Sequence, residues 1–455
     1  MKAMFRRVVS ESAGCWPRFA TVGAVTLVAA ALRFPHLGRE SLWLDEAYSV
    51  MIARLDASTF WRIIATREAN MALYYVMLRG WLWFGFGEAA VRSLSAVAGT
   101  LAVPVLFVLG RRLLGVRAAF VSVLLLAANE FHIYYSQEAR AYSLVALFVL
   151  LSCLFFVRGV EGGSRADWIL YVAVSAAAVY CQASALLVLL AQLTSLLAPS
   201  SRRRPWRGLL ASGLGIAAAT APFAWAVACQ NKGGRLYWIS PLSLASFYHF
   251  LLVLSGSRPA MVVFLAAVAA ALAALARSWR RGVECEAESR LAFLVCWLLV
   301  PIAITLAVSL RKPIFADRYL IVCLPALLLL AGWGLARLRP PWAAPLLLTI
   351  LLVATARHLV ANSAKMVKDD WRGATGSVLA QTAPGDGLIF ELGPCRLPFD
   401  YYTVQAGRSD VMAGLIYPDE PTLEANSPPD LALFKYLAGR YPRIWLIEGY
   451  IGGGA

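Results

Sequence analysis

Residues 291–309 read LAFLVCWLLVPIAITLAVS, a stretch without a single charged side chain. A helix needs about 20 mostly apolar residues to cross the hydrocarbon core of a bilayer. This stretch therefore predicts a membrane-spanning helix. Ten more segments share its character, so the sequence predicts an all-α polytopic membrane protein with about eleven transmembrane helices. The other predicted spans are 19–35, 92–110, 118–133, 142–157, 168–181, 183–198, 208–228, 259–277, 319–336 and 342–360.

The composition agrees with a polytopic membrane protein. Apolar residues make up 60% of the 455 residues and charged residues 15%, whereas soluble domains have about 45–50% and about 25%. The mean hydropathy is +0.66. These values exclude a disordered protein, a disulfide-rich secreted module and an ordinary soluble enzyme.

The net charge of +16 indicates a membrane topology and not a nucleic-acid partner. Many of the basic residues cluster in short loops between apolar segments, and cytoplasmic loops retain Lys and Arg. Nucleic-acid binding is therefore not expected. The clustered basic residues are Arg111, Arg112, Arg117, Arg158, Arg165, Arg202, Arg203, Arg204, Arg207, Arg280, Arg281, Arg337 and Arg339.

Residues 71–86 decide the topology, because they are apolar but short and carry Arg79 near their centre. If they form a surface or re-entrant helix, all the basic clusters face the cytoplasm together with the N-terminus. If they span the membrane, most clusters move to the outer face, and Arg79 lies at a costly depth. The sequence therefore predicts a juxtamembrane helix at 71–86 and a multi-pass protein of the inner membrane.

This topology places several loops and the C-terminal segment on the outer face. After residue 360 the composition becomes more polar, which predicts a transmembrane domain at 1–360 and a small α/β extracytoplasmic domain at 361–455. Within the second domain, alternation and apolar spacing predict two strands and one helix. The outer loops are 36–91, 133–141, 229–258 and 310–318, the strands are 388–390 and 443–447, and the helix is 430–441.

The first outer loop begins with SLWLDEAYSV at 41–50, which places Asp45 beside Glu46. An acidic pair next to a membrane is costly unless it is solvated or used. Adjacent residues of a helix point about 100° apart, so at most one of the two faces a given substrate. A solvated pair on an interfacial helix is the alternative interpretation.

Two more polar segments lie on the same outer face. Residues 131–144 read FHIYYSQEARAYSL and residues 311–320 read RKPIFADRYL. Taken singly, the first is typical of an aromatic belt and the second of snorkelling cations. Together with the acidic pair, they place a carboxylate and several cations at one membrane surface. That combination suits glycosyl transfer from a lipid phosphate, because cations stabilise the leaving phosphate and one carboxylate activates the acceptor hydroxyl.

The motifs together resemble a known family. SLWLDEAYSV, the stretch from LYYVMLRG to RRLLG at 73–115, YYSQEARAYSL, FADRYL and KDDWRGA are similar to bacterial relatives of protein O-mannosyltransferases and lipid A aminoarabinose transferases. These are polytopic glycosyltransferases of the C type (GT-C), which use dolichyl- or polyprenyl-phosphate sugars. The resemblance covers most of residues 30–375.

The resemblance implies a polyprenyl-phosphate sugar donor and an inverting transfer on the outer face to a lipid, glycan or protein acceptor. It implies that Asp45 is the catalytic acidic residue with Glu46 as its neighbour, and that juxtamembrane helices at 60–86 wall the cavity. The sequence departs from relatives that carry a Pro-Pro or Lys-Pro pair before LYY, because this chain has REANMALYY there. The implied donor-phosphate contacts are Arg140, Arg318 and Arg67, and the implied cavity-lining residues are Tyr135, Gln137, Glu138, Tyr319 and Asn70.

The sequence leaves a divalent cation open, since Asp45, Glu46 and Glu138 offer oxygen ligands but their spacing requires no metal. Two other functions also stay open. A transporter or flippase of lipid-linked sugars needs a similar outer cavity, although internal repeats and broken helices at the midplane are more typical of transporters. A non-enzymatic scaffold leaves the outer carboxylate unexplained.

Overall fold

The computed structural model describes the chain from residue 16 to 449 with several gaps. The described residues are 16–198, 204–230, 239–281, 286–363, 368–383, 386–408, 410, 416–417, 435, 439 and 441–449. Most of them are helical.

The elements are named here in chain order. The α-helices are α1 (Trp16–Arg33), α2 (Leu44–Arg54), α3 (Ala57–Thr66), α4 (Ala72–Trp81), α5 (Glu88–Leu114), α6 (Val116–Ala128), α7 (Glu130–Ser136), α8 (Tyr142–Val160), α9 (Arg165–Cys181), α10 (Ala185–Ser195), α11 (Trp206–Cys229), α12 (Leu244–Ser255), α13 (Arg258–Arg281), α14 (Glu286–Ser309), α15 (Leu324–Leu335), α16 (Ala343–Ser363), α17 (Trp371–Gln381) and α18 (Arg396–Gln405). Short 3₁₀ helices are Leu82–Phe84, Asp317–Cys323 and Gly393–Cys395, and the strands are β1 (Gly387–Phe390), β2 (Ile416–Tyr417) and β3 (Ile444–Ile447).

Every predicted span falls on a helix or a pair of helices. Within the described residues, six segments are long and apolar enough to cross a membrane: α5, α8, α11, α13, α14 and the segment Asp317–Leu335 that ends in α15. The pair α6 and α7 makes a seventh if it counts as one span. The remaining predicted spans lie on α1, α9, α10 and α16, which are helical but do not reach this length and hydropathy over their described residues. Their crossing of the membrane stays a prediction.

The spans differ in how deeply they lie inside the protein. The most apolar windows of Asp317–Leu335, α8 and α5 are 83%, 72% and 61% buried, whereas those of α11 and α13 are 28% buried. A side chain that faces lipid needs no protein partner, so an apolar helix with most of its surface exposed lies at the periphery of the bundle. The three most buried segments, Asp317–Leu335, α8 and α5, therefore form the centre of the bundle, and the candidate site lies beside them.

The span predicted at 118–133 is broken, contrary to the expectation of one straight helix. α6 and α7 meet at an angle of 56°, and Asn129 at the break caps α7 by accepting a hydrogen bond from the backbone of His132. The break frees carbonyls of α6, and buried Arg33 donates to those of Leu126 and Ala127 at 3.1 Å each. A break inside a membrane protein persists only when its backbone groups find such partners.

The first outer loop folds into the short helices α2, α3 and α4. α2 begins after Trp43, whose backbone is extended, and its first turn carries Asp45 and Glu46, where negative charge is favourable. Asp56 caps α3 by accepting from the backbone of Thr59 at 3.0 Å. α4 has 10 residues and is about 15 Å long, half of what a span needs. This agrees with the prediction that 71–86 does not cross the membrane.

The C-terminal segment contains a small parallel sheet in the order β2-β1-β3. Leu388 in β1 pairs with Ile416 on one side and Trp445 on the other. β1 and β3 fall on the two predicted strands, whereas the helix predicted at 430–441 lies almost entirely outside the described residues. The boundary at residue 360 and a separate extracytoplasmic domain stay predictions.

Candidate active site

Asp45 and Arg318 form the centre of the candidate site. Arg318 Nη1 lies 3.2 Å from Asp45 Oδ2, and the two side chains are 21% and 22% exposed. Arg318 comes from the 3₁₀ helix Asp317–Cys323, which begins the most buried span. Asp45 comes from the first turn of α2. The fold thus brings the first and fourth outer loops together at a partly open surface.

Arg140 lies against the same turn of α2. Its Nη1 donates to the backbone carbonyl of Asp45 at 3.3 Å and to Ser49 Oγ at 3.4 Å. Burial lowers the pKa of Arg140, but nearby negative charge, chiefly that of Asp45, outweighs burial and holds this pKa well above its ordinary value. One carboxylate therefore faces two guanidinium groups that come from separate segments of the chain.

Glu46 points about 100° away from Asp45 around α2, as helix geometry predicts, and it is fully buried. Arg92 in α5 holds it through two hydrogen bonds, Nε to Oε1 at 2.8 Å and Nη2 to Oε2 at 2.7 Å. The backbone of Ala139 donates to Oε1 at 2.9 Å. Burial by itself raises the pKa of Glu46, but the charges of Lys368 and Arg92 outweigh it and lower this pKa to about 2. Glu46 is thus a paired anion and carries no proton at neutral pH.

Every N–H donor of the Arg92 guanidinium group bonds to the first outer loop. Besides the two bonds to Glu46, its Nη1 donates to the carbonyls of Leu37 and Glu40, and its Nη2 donates to the carbonyl of Ser41, at 2.7 to 2.9 Å. These five contacts match the five N–H donors of a guanidinium group. Arg92 is 2% exposed, so it anchors the start of the loop and does not face a substrate.

A second buried carboxylate, Glu138, lies beyond Glu46. Lys368 Nζ lies 2.9 Å from Glu46 Oε2 and 3.6 Å from Glu138 Oε1, between the two side chains. Burial raises the pKa of Glu138, although the charge of Lys368 opposes this rise. The rings of Trp43 and Tyr134 flank the ammonium at 5.8 and 5.9 Å from their centroids.

A cavity of about 620 Å³ opens beside Arg318. A neighbouring cavity of about 670 Å³ shares part of its wall. Where the two meet, His249 in α12 lies 3.6 Å from Asp317. The residues that line both cavities are Tyr134, Tyr135, His249 and Asp317, and those that line the first alone include Trp43, Glu138 and Arg318. Volumes of this size hold a sugar or a lipid head group.

Of the predicted cavity residues, Tyr135 and Glu138 line the first cavity. Tyr319 lines neither of the two cavities. Gln137 differs, because its amide donates to the carbonyls of Leu32, Arg33 and Pro35 at the end of α1. It ties two segments together and faces away from the cavity.

Neither Arg67 nor Asn70 lines these cavities. Arg67 is exposed and ends α3. Asn70 accepts a hydrogen bond from the backbone of Ala183 at 2.9 Å, which joins the first outer loop to the connection between α9 and α10. In the described structure the stretch that departs from the family pattern therefore serves the packing of the loop.

Sequence reasoning missed Arg92, Lys368 and Glu68. Glu68 accepts hydrogen bonds from Tyr48 at 3.3 Å and Tyr75 at 3.4 Å, on the far side of α2 from Glu46. A signal existed for two of them. Arg92 is a lone charge at the start of a long apolar run, and Lys368 is the first residue of the KDDWRGA motif. Glu68 reaches the site by tertiary folding.

Comparisons with known proteins bear on the fold. Residues 71–227 match the family model described as dolichyl-phosphate-mannose-protein mannosyltransferase. The apo crystal structure of ArnT from Cupriavidus metallidurans superposes with a TM-score of 0.59 at 17% identity and covers 90% of this chain and 94% of its own. The fold is that of the GT-C glycosyltransferases.

Two further structures share the GT-C fold. The same ArnT bound to undecaprenyl phosphate has a TM-score of 0.55 at 16% identity, with 84% of each chain covered. The oligosaccharyltransferase AglB from Archaeoglobus fulgidus, in complex with an inhibitory peptide and a dolichol-phosphate, has a TM-score of 0.57 at 11% identity and covers 96% of this chain and 69% of its own. No curated protein matches the chain in sequence. The resemblance inferred from the motifs is confirmed.

The described residues of this GT-C fold do not form a metal site. Among them, no three side chains of His, Cys, Asp or Glu cluster as metal ligands. Of the carboxylates considered from the sequence, Asp45 is paired with Arg318, and Glu46 and Glu138 are buried around Lys368. The oxygens of these carboxylates are paired with positively charged side chains, so they do not form a set of ligands that fits a divalent ion.

Proposed function

We propose that the protein is an inverting glycosyltransferase. It transfers a sugar from a polyprenyl-phosphate donor to an acceptor hydroxyl on the outer face of a membrane. The observation that carries this proposal is the contact of Asp45 with Arg318, beside Arg140 and at the mouth of a cavity. The ArnT and AglB structures with bound polyprenyl and dolichol phosphates give further support.

Asp45 is the carboxylate suited to act as the base. Glu46 and Glu138 are 0% and 2% exposed in their side chains, whereas Asp45 is 22% exposed. Both oxygens of Glu46 are also occupied by donors of Arg92 and Lys368. Glu46 therefore orients α2, and Asp45 is the member of the pair that a substrate reaches.

The reaction is a single displacement. The acceptor oxygen attacks the anomeric carbon while the bond from that carbon to the phosphate oxygen breaks, and the electron pair of the broken bond leaves with polyprenyl phosphate. The acceptor proton passes to the Asp45 carboxylate. Because the phosphate is a weak base, it needs no proton; Arg318 and Arg140 stabilise its charge. A donor phosphate also attracts Arg318 and so frees Oδ2 of Asp45 to accept the proton.

The test is release of polyprenyl phosphate by the purified protein in lipid. A panel of polyprenyl-phosphate sugars is offered with lipid, glycan and peptide acceptors. Wild type is compared with Asp45→Asn and with Asp410→Asn, which removes a carboxylate from an exposed pair with Arg408. We expect release by wild type and Asp410→Asn, and a rate lower by about 10²–10⁴-fold for Asp45→Asn.

Two results contradict the proposal. Release by Asp45→Asn at the wild-type rate removes Asp45 from the mechanism. Movement of intact donor across the bilayer, without release from any donor and acceptor pair, assigns the protein to the transporters.

A further inference from the structure

The segment after α16 reaches back beneath the candidate site. Lys368 Nζ lies between Oε2 of Glu46 on α2 and Oε1 of Glu138 in the connection of α7 to α8. The side chain of Lys368 is 6% exposed. A lysine is rarely buried to this extent unless it is paired. Its ammonium therefore forms a specific contact between two outer loops and the C-terminal segment.

Other bonds hold the same segment in place independently of this ammonium. Ser41 Oγ donates to the carbonyl of Asp369 at 2.6 Å, and the backbone of Trp371 donates to Ser41 Oγ at 3.1 Å. Arg372 Nε donates to Glu88 Oε1 at 2.8 Å. The segment therefore stays attached when the charge of Lys368 alone is removed, and a variant at this position tests the ammonium.

Lys368 is shared by two buried carboxyl groups. Glu46 and Glu138 lie on either side of its ammonium, and Glu46 is also paired with Arg92. All five donors of Arg92 are already used by Glu46 and by backbone carbonyls. Among the described ion pairs, Lys368 is the cation of Glu138. A buried carboxylate that loses its partner is strongly destabilising.

We propose that Lys368 is a positioning residue that fixes the first turn of α2 against the connection between α7 and α8. Lys368 joins Glu46 to Glu138, and each of these two residues is close in sequence to a residue of the candidate site. Asp45 precedes Glu46, and Arg140 follows Glu138 by two residues and donates to the Asp45 carbonyl at 3.3 Å. The ammonium thus holds the proposed base beside the proposed phosphate contact. This inference rests on the proposed function for its catalytic consequence.

The experiment replaces Lys368 by methionine, which has a similar length and no charge. The matched control is Lys312→Met, which removes an exposed lysine from the fourth outer loop. Hydrogen exchange of α2 is measured by mass spectrometry, together with kcat and the KM for the donor. We expect Lys368→Met to speed exchange in α2 by roughly tenfold or more. We also expect kcat to fall by roughly 10- to 100-fold, with the donor KM within about threefold of wild type.

A second variant separates charge from packing. In Lys368→Met with Glu138→Gln, both ends of the Lys368–Glu138 contact become neutral, while the ammonium that contacts Glu46 is still absent. We expect exchange in α2 to stay fast in this double variant, because the contact that holds α2 is missing. If Lys368→Met does not fold, the double variant decides alone, and its folding with fast exchange in α2 supports the proposal.

Three results overturn the proposal. They are wild-type exchange of α2 in Lys368→Met, wild-type exchange of α2 in the double variant, which would assign the effect to the unpaired Glu138 alone, and failure of both variants to fold. The exchange measurement needs neither donor nor acceptor. If wild type transfers no sugar at all, the proposed function fails, while the exchange rates still decide whether Lys368 holds α2 in place.

Discussion

Arg318 Nη1 lies 3.2 Å from Asp45 Oδ2, although 273 residues separate the two in the chain. Both side chains are about one-fifth exposed, and Arg318 lines the adjoining cavity, so a ligand there reaches its guanidinium group. A phosphate competes with the carboxylate for this group, since the planar fork of N–H donors binds either anion through two oxygens. This contact therefore links donor binding to the freeing of the proposed base.

Loss of Arg318 should weaken donor binding more than folding. A hydrogen bond to a charged group contributes about 1.5–3 kcal/mol, so Arg318→Ala should raise the Kd for polyprenyl phosphate by roughly 10- to 100-fold. Binding is measured on purified protein without an acceptor. Arg311→Ala, an exposed arginine of the same loop, serves as the control. Equal weakening by both variants would mean that the loop attracts phosphate only through its overall charge.

Glu46→Gln should destabilise the protein at neutral pH, because it removes the carboxylate that pairs with buried Arg92 and leaves Lys368 with Glu138 alone. Breaking one side of a buried pair costs about 3–5 kcal/mol. The same change at its partly exposed neighbour, Asp45→Asn, should cost much less. Thermal unfolding in lipid compares the two variants with wild type, and equal stability of all three would contradict a buried network.

The pH dependence of this effect follows from the lowered pKa of Glu46. A carboxylate whose pKa falls on folding stabilises the fold fully above its unfolded value of about 4.3. The contribution is lost as the pH falls toward the folded value of about 2. The stability gap between wild type and Glu46→Gln should therefore be constant near neutral pH and narrow below about pH 4. A gap that instead widens on acidification would refute the assignment of Glu46 as a paired anion.

The predicted topology is tested by cysteine labelling in intact cells. Trp83, which follows α4, is 91% exposed. Arg280 is exposed in the last turn of α13, at the end predicted to face the cytoplasm. With exposed Cys229 replaced, Trp83→Cys should react with a membrane-impermeant reagent from outside, and Arg280→Cys should react only after lysis. Labelling with the reverse pattern would place the candidate site in the cytoplasm.

Local patterns in the sequence predicted most of the fold. Apolar runs such as 291–309 carry their own reason for being helical, because a segment in lipid must satisfy every backbone group internally. The break in the span at 118–133 was not predicted. It depends on Arg33, which lies 93 residues from Leu126 in the chain and supplies donors to its carbonyl. No local pattern indicates that these two segments meet.

The candidate site shows the same division. Motifs indicated Asp45, Arg140 and Arg318, and their presence on one outer face followed from the topology. The sequence could not assign different roles to Asp45 and Glu46, because the two residues are adjacent in the chain. The structure separates them, because α2 points Asp45 toward Arg318, which lines the cavity, and Glu46 toward Arg92 and Lys368.

By itself, the sequence determined the apolar helices and the identity of the charged motifs, since each depends on residues close together in the chain. It also predicts that residues 71–86 do not span the membrane. Only the tertiary structure decided which carboxylate is accessible and which cations balance the buried ones. Lys368 meets Glu46 across 322 residues, and electrostatic pairing depends on distance in space. For this reason the chemistry of the site became defined only when the outer loops and the C-terminal segment packed together.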